Sequence, residues 1–147
     1  MPHGIRTALV VFAAAVALVV GALAKDAVRF FLDRPTDLRS RETLAKIASE
    51  INKSMPMNVD GTTEAMNAGA AEGVLIYNYR LLEVDADEIA FEELRESQGP
   101  SLVAVACSTP QTRDHFLRND VTLRYSYHDR SRQLLGSIDV RPEDCGL

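Results

Sequence analysis

The chain has 147 residues, of which 46% are hydrophobic and 25% charged, with a formal charge of −5 at pH 7. That length leaves room for one domain of about 100 residues behind an apolar leader, enough to bury a core but small enough to profit from a covalent staple. The first 24 residues carry only Arg6, so the rest is slightly more acidic still, and an acidic surface argues against general nucleic-acid binding.

Ala8 to Ala24 is a run of 17 residues without a polar side chain, preceded by Arg6 and followed by Lys25. It is too uniformly apolar to be one face of a soluble helix and marks a membrane segment. Two outcomes follow. Ala22-Leu23-Ala24 has the small-x-small form of a signal peptidase site, whose cleavage would release a secreted or periplasmic domain. The run also reaches the lower limit for a spanning helix, with Ala27 to Leu32 as an interfacial extension. The reading adopted is a transmembrane anchor or signal peptide at 1–24, a juxtamembrane linker at 25–36 and an α+β envelope domain at 37–147. Lys25, Arg29, Arg34, Arg39 and Arg41 would place that domain in the cytoplasm by the positive-inside rule. The Ala-x-Ala site and the cysteines place it outside, and they are given more weight: a bacterial inner membrane with the domain facing the periplasm. Gly21 to Lys25 contains no cysteine that could accept a lipid.

Beyond the Asp33-Arg34-Pro35-Thr36 breaker, a helix is predicted from Thr36 or Asp37, with Leu38, Leu44, Ile47, Ala48 and Ile51 on one stripe. Pro56 stops it. A loop from Asn52 to Thr63 contains the Asp60-Gly61 turn signal. Thr63 to Ala68 is a weak strand, Gly69 to Gly73 a turn, and Val74 to Leu82 a strong strand. Asp85 and Glu88 predict a capped helix start, interrupted at Gly99-Pro100. Ser101 to Cys107 fits helix or strand and is taken as helix, because Thr109-Pro110 opens another one. Val121 to His128 and Gln133 to Val140 form a second hairpin about Asp129 to Arg132. The predicted fold class is therefore α+β, an antiparallel sheet of about four strands in two hairpins, covered by helices and preceded by an N-terminal apolar helix.

Leu75-Ile76-Tyr77-Asn78-Tyr79 and Leu123-Arg124-Tyr125-Ser126-Tyr127 both spell Leu-x-Tyr-x-Tyr. Alternation puts each leucine and tyrosine pair on one face, and Thr122, Arg124, Ser126 and His128 on the other. Tyr77, Tyr79, Tyr125 and Tyr127 are a candidate ligand face, set against a core role with hydroxyls reaching the rim. Cys107 and Cys145 in a chain with an export-type leader predict one structural disulfide, with two buried free thiols as the alternative. The three histidines, His3, His115 and His128, lack visible catalytic partners. No metal-ligand spacing and no cofactor motif are present, and the acidic run from Glu83 to Glu96 fits a solvated helix face.

Asn52-Lys53 with Pro56, Val59-Asp60 and Thr63, then Tyr77-Asn78-Tyr79, Cys107, Tyr125-Ser126-Tyr127 with Asp129, and Asp144-Cys145 together resemble a family of small uncharacterised bacterial envelope proteins. That resemblance spans about Leu44 to Cys145 and implies an N-terminal membrane segment and one disulfide. In layout the chain is also similar to quorum-sensing-regulated virulence factor domains and to the pilotins that escort secretins. Neither likeness brings catalytic residues. The loop that carries part of the first likeness supplies a candidate interaction surface: Asn52, Met55, Pro56, Met57, Asp60 and Thr63. The function expected is a non-enzymatic, membrane-tethered envelope protein with an extracytoplasmic interaction or accessory domain and a protein partner. The alternative is a secreted or periplasmic small-ligand-binding protein using the tyrosine face.

Overall fold

The computed structural model describes residues 37–147, so the apolar segment at 8–24 and the linker at 25–36 lie outside the described residues. Among the described residues, no helix is long and apolar enough to cross a membrane. Helix α1 (Arg41–Asn52) leads into strands β1 (Met57–Asn58), β2 (Thr63–Ala71) and β3 (Val74–Leu81). Helices α2 (Phe91–Ser108) and α3 (Pro110–His115) and a short 3₁₀ turn (Leu117–Asn119) follow. Strands β4 (Thr122–His128) and β5 (Leu134–Val140) and a 3₁₀ turn (Pro142–Cys145) complete the fold.

The five strands lie in the order β1-β2-β3-β4-β5. Both predicted hairpins form, but β3 and β4 run parallel, so the sheet is mixed rather than antiparallel. Period-two alternation reports which face a residue takes and is silent on strand direction. The direction follows from the crossover: α2 and α3 lie between β3 and β4, and a connection of that length returns the chain to the starting edge of the sheet. The fifth strand, β1, is only two residues long, too short to leave a periodic signal.

The parallel pairing brings the two Leu-x-Tyr-x-Tyr copies side by side in register: Leu75 against Leu123, Tyr77 against Tyr125 and Tyr79 against Tyr127. Their side chains share the covered face with Ala65, Ala68, Leu81, Ile138 and Val140 and form the core with the helices. Helix α1 covers β2 and β3, and α2 covers β5. Thr43, Leu44, Ile47, Ala48 and Ile51 of α1 are buried at the predicted three- and four-residue intervals. Each fully buried Leu or Ile contributes about 1.5–3 kcal/mol relative to exposure. Helix α1 starts later than expected, because Asp37 to Ser40 form a turn and Ser40 is the cap, its Oγ accepting from the Thr43 N–H at 3.1 Å.

Two further expectations are corrected by packing. Asp85 to Glu88 is a turn, in which the Glu88 carboxylate accepts from the Asp85 N–H at 2.7 Å, and the helix begins only at Phe91. Gly99-Pro100 does not interrupt it. Leu94, Gln98, Leu102 and Ala106 are buried at unbroken four-residue spacing on both sides of Pro100, while Pro100 itself is exposed. The continuous buried stripe holds the helix together, and the missing proline N–H falls on the side where water can compensate. Strand β2 also runs to Ala71, so the turn shrinks to Glu72 and Gly73. Gly73 has φ +67°, and an added Cβ would sit 2.8 Å from the Arg39 guanidinium, so this position requires glycine.

Cys107, near the end of α2, is bonded to Cys145 in the C-terminal turn, with Cα atoms 5.3 Å apart. The bond fastens the chain after β5 to the helical layer that covers β5.

Candidate functional site

One face of the sheet is buried under helices; the other carries a polar grid. Strand register sets its rows. Glu64, Arg80 and His128 form one row, Asn67, Asn78, Ser126 and Ser137 the next, and Gly69, Ile76, Arg124 and Asp139 a third. Several neighbours in these rows pair with one another, although the buried Arg80 Nε has no partner among the described residues. The Arg80 guanidinium lies 3.2 Å from Glu64, Asn78 Nδ2 donates to Asn67 Oδ1 at 2.8 Å, and the Ser126 and Ser137 hydroxyls are 2.8 Å apart. Arg124 grips Asp139 through two N–H···O bonds of 2.8 and 3.0 Å, and the bonded guanidinium holds the Asp139 carboxyl below the usual carboxylate range. His128 Nδ1 lies 3.1 Å from the Tyr79 carbonyl, which can only accept, so Nδ1 carries the proton in that contact.

At one corner of this face Pro56, Glu64, Met66, Asn67, His128 and Arg132 line a cavity of about 370 Å³. Pro56 comes from the loop singled out in the sequence, which the structure therefore joins to the polar face. The other candidate residues of that loop are committed to the fold. Asn52 donates from Nδ2 to the Ala68 carbonyl at 2.9 Å and accepts from the Ala68 N–H at 2.6 Å. It takes over on β2 beyond the Met57–Ala65 pair with which β1 begins, past the register slip between Ala65 and Asn67, acting as a one-residue strand. Asp60 accepts from the Thr62 N–H and hydroxyl and from the Thr63 N–H, closing the turn. Met55 and Met57 pack against the core, and Thr63 is buried. Glu64, Asn67 and His128 were missed as members of the site; the polar phase of each strand carried the signal.

The tyrosines do not form an open ligand face. Tyr77, Tyr79 and Tyr125 are each 1% exposed and Tyr127 is 5% exposed, with centroids 5.5 Å apart for Tyr77 and Tyr125 and 5.6 Å for Tyr79 and Tyr127. Burial pushes the hydroxyl pKa values of Tyr77 and Tyr79 well above the ordinary tyrosine range. Helices α1 and α2 need that face for the core, which leaves the rings no solvent-filled concavity. Among the described residues no group of three or more His, Cys, Asp or Glu is placed to hold a metal ion.

No protein-family model matches the chain, and no curated protein matches it in sequence. The fold is that of three solved structures. A candidate secreted protein from Pseudomonas aeruginosa aligns with a TM-score of 0.63 and 18% identity, over 76% of this chain and 97% of that one. The type 2 secretion system pilotin EpsS from Vibrio vulnificus aligns at 0.55 and 15%, covering 71% of this chain and 90% of the pilotin. The type II secretion system pilotin AspS from Vibrio cholerae aligns at 0.53 and 17%, over 71% and 91%.

Proposed function

We propose that the chain is a non-enzymatic accessory protein of the bacterial envelope, exported by residues 8–24 and acting by binding another protein. The observation that carries this reading is the shared fold: two of the structures that align over nine-tenths of their length are pilotins of a secretion system. The polar sheet face supports it, because its charges are paired within the chain and provide a stable docking surface rather than an activated acid, base or nucleophile. The Cys107–Cys145 bond suits an oxidising compartment. In this reading residues 1–24 are retained as an inner-membrane anchor or removed after Ala24, and the domain lies on the periplasmic side.

Its partner in this reading is a subunit of an outer-membrane secretion channel, the class of protein that pilotins escort. Deletion of the chain from its host is expected to lower the amount of assembled, detergent-resistant channel multimer, and a plasmid copy to restore it. Unchanged multimer levels would overturn the secretion role. Alkaline phosphatase fused after Leu147 should be active only when residues 1–24 are present; an inactive fusion overturns export. Intact mass of the purified protein separates the anchored form from the cleaved one.

A further inference from the structure

The cavity at the corner of the polar face is lined by side chains whose hydrogen-bonding groups the fold has not used up. Arg132 stands in the β4–β5 turn with φ +68°, a left-handed conformation in which glycine or asparagine is the ordinary choice and a long side chain carries a cost. Its backbone N–H closes the turn on the Asp129 carbonyl at 2.9 Å, whereas its exposed guanidinium makes no hydrogen bond or ion pair among the described residues. Asn67 accepts from Asn78 through Oδ1, which leaves its Nδ2 group to donate. His128 carries its proton on Nδ1, towards the Tyr79 carbonyl, so Nε2 is an open acceptor. Pro56 and Met66 supply an apolar wall.

Nearby charges already have partners. Glu64, the remaining lining residue, sits against the Arg80 guanidinium at 3.2 Å, and Arg130 holds Asp85. Asp129 is 3% exposed and turns its two oxygens to the N–H groups of Ala86, Ser131 and Gln133. The overall charge of −5 is therefore not what a ligand meets here. The cavity presents a cation in contact with no carboxylate, an amide donor and a ring acceptor, beside apolar surface.

That set matches the end of a polypeptide chain. A terminal carboxylate accepts two N–H bonds from a guanidinium and another from an amide, the N–H of the same residue donates to a ring nitrogen, and an aliphatic side chain lies on the apolar wall. A free fatty acid lacks the N–H, and an internal segment lacks the carboxylate. Volume agrees, since about 370 Å³ is at the small end of ligand sites and suits one residue with the peptide group before it.

We propose that this cavity binds the C-terminal residue of a partner protein, with Arg132 and Asn67 holding the carboxylate, His128 Nε2 accepting the terminal N–H, and Pro56 and Met66 contacting an aliphatic side chain. This deepens the reading of the chain as a protein-binding module and rests on it. Peptide binding tests the cavity alone, while channel assembly and export test the role, so the two fail separately.

The full chain in dodecyl maltoside micelles is titrated into the tetrapeptide fluorescein-Gly-Gly-Ala-Leu, with a free C-terminus, and fluorescence anisotropy is read. The same peptide with a C-terminal amide should bind at least tenfold more weakly. In competition, acetyl-leucine should displace the probe at least tenfold better than 4-methylpentanoate, which has the same carboxylate and branched chain without the N–H. Arg132→Gly removes the guanidinium and suits φ +68°, so it should weaken the probe at least tenfold while the melting temperature holds or rises. Arg132→Asn, which also tolerates that conformation, is the second variant and should do the same. Absence of saturable binding, equal affinity for acid and amide, or an affinity unmoved by both Arg132 variants would overturn the proposal. So would equal displacement by the two competitors, which would assign the cavity to a free aliphatic acid.

Discussion

Tyr77 and Tyr79 bury hydroxyl groups that make no hydrogen bond among the described residues. A buried hydroxyl without a partner costs folding free energy, so its removal should not hurt. Tyr79→Phe is expected to be neutral or to stabilise by about 1 kcal/mol in urea denaturation, whereas Tyr79→Ala should cost about 3–5 kcal/mol through the cavity it leaves. The same burial sets an alkaline limit. With folded pKa values raised, the stability tied to the neutral rings is complete below the unfolded value of about 10 and declines as pH rises beyond it. Tyrosinate absorbance should therefore rise together with loss of structure. A rise near pH 10 in a still-folded protein would contradict burial of all four rings.

Asn52 makes the same point from the opposite direction. Its place in a turn-rich loop suggested a surface residue, but both ends of its amide are spent on Ala68. Asn52→Ala should cost about 2–3 kcal/mol, two bonds' worth, and expose the β2 edge to faster amide exchange at Ala68. Only Asn or a close mimic supplies a donor and an acceptor in that geometry.

At the level of elements, α2 is held at one end by strand β5 and at the other by the C-terminal turn that follows it. At the first, Phe91 lies over Gly136, where an added Cβ would come within 2.4 Å of the ring. Gly136→Ala should destabilise by about 1–3 kcal/mol through overpacking, and Phe91→Leu should recover part of that loss in a double-mutant cycle. At the second, the disulfide closes a loop between positions 38 residues apart. Cys145→Ala with Cys107→Ala should lower stability by about 4 kcal/mol on the chain-entropy model.

Acid sensitivity also belongs to elements. Asp114 on α3 is bonded first by Arg113, at 2.8 Å, and then by Arg118, and its pKa falls to about 2. Asp139 is lowered by Arg124 across the β4–β5 pair. Depressed carboxylates lend stability above their unfolded pKa of about 4 and lose it as pH falls further. Urea midpoints should drop between pH ~4 and ~2. Arg124→Gln should make that drop shallower, chiefly through Asp139.

Across the described domain, one sheet face packs under the helices and the other carries polar side chains, several of them paired with one another. Alternation in the two Leu-x-Tyr-x-Tyr copies was enough to divide core from surface, to place Arg124, Ser126 and His128 on the polar side, and to indicate two hairpins under helices. The stripe of α1 and the cysteine pair were equally visible. All of these depend on local period or composition, which a single sequence carries in full. The cavity beside His128 was not legible, since it exists only where Pro56 from a loop and Met66 on β2 meet His128 and Arg132 at the β4–β5 turn.

By itself, then, the sequence determined which side chains face inward along α1 and the two Leu-x-Tyr-x-Tyr strands, because helix and strand geometry convert spacing directly into direction. The tertiary structure alone decided that the tyrosine copies stack in parallel, that α2 passes through Pro100, and that Asn52 completes a strand. Each of those depends on contacts between segments far apart in the chain, where packing and hydrogen-bond satisfaction override local preference.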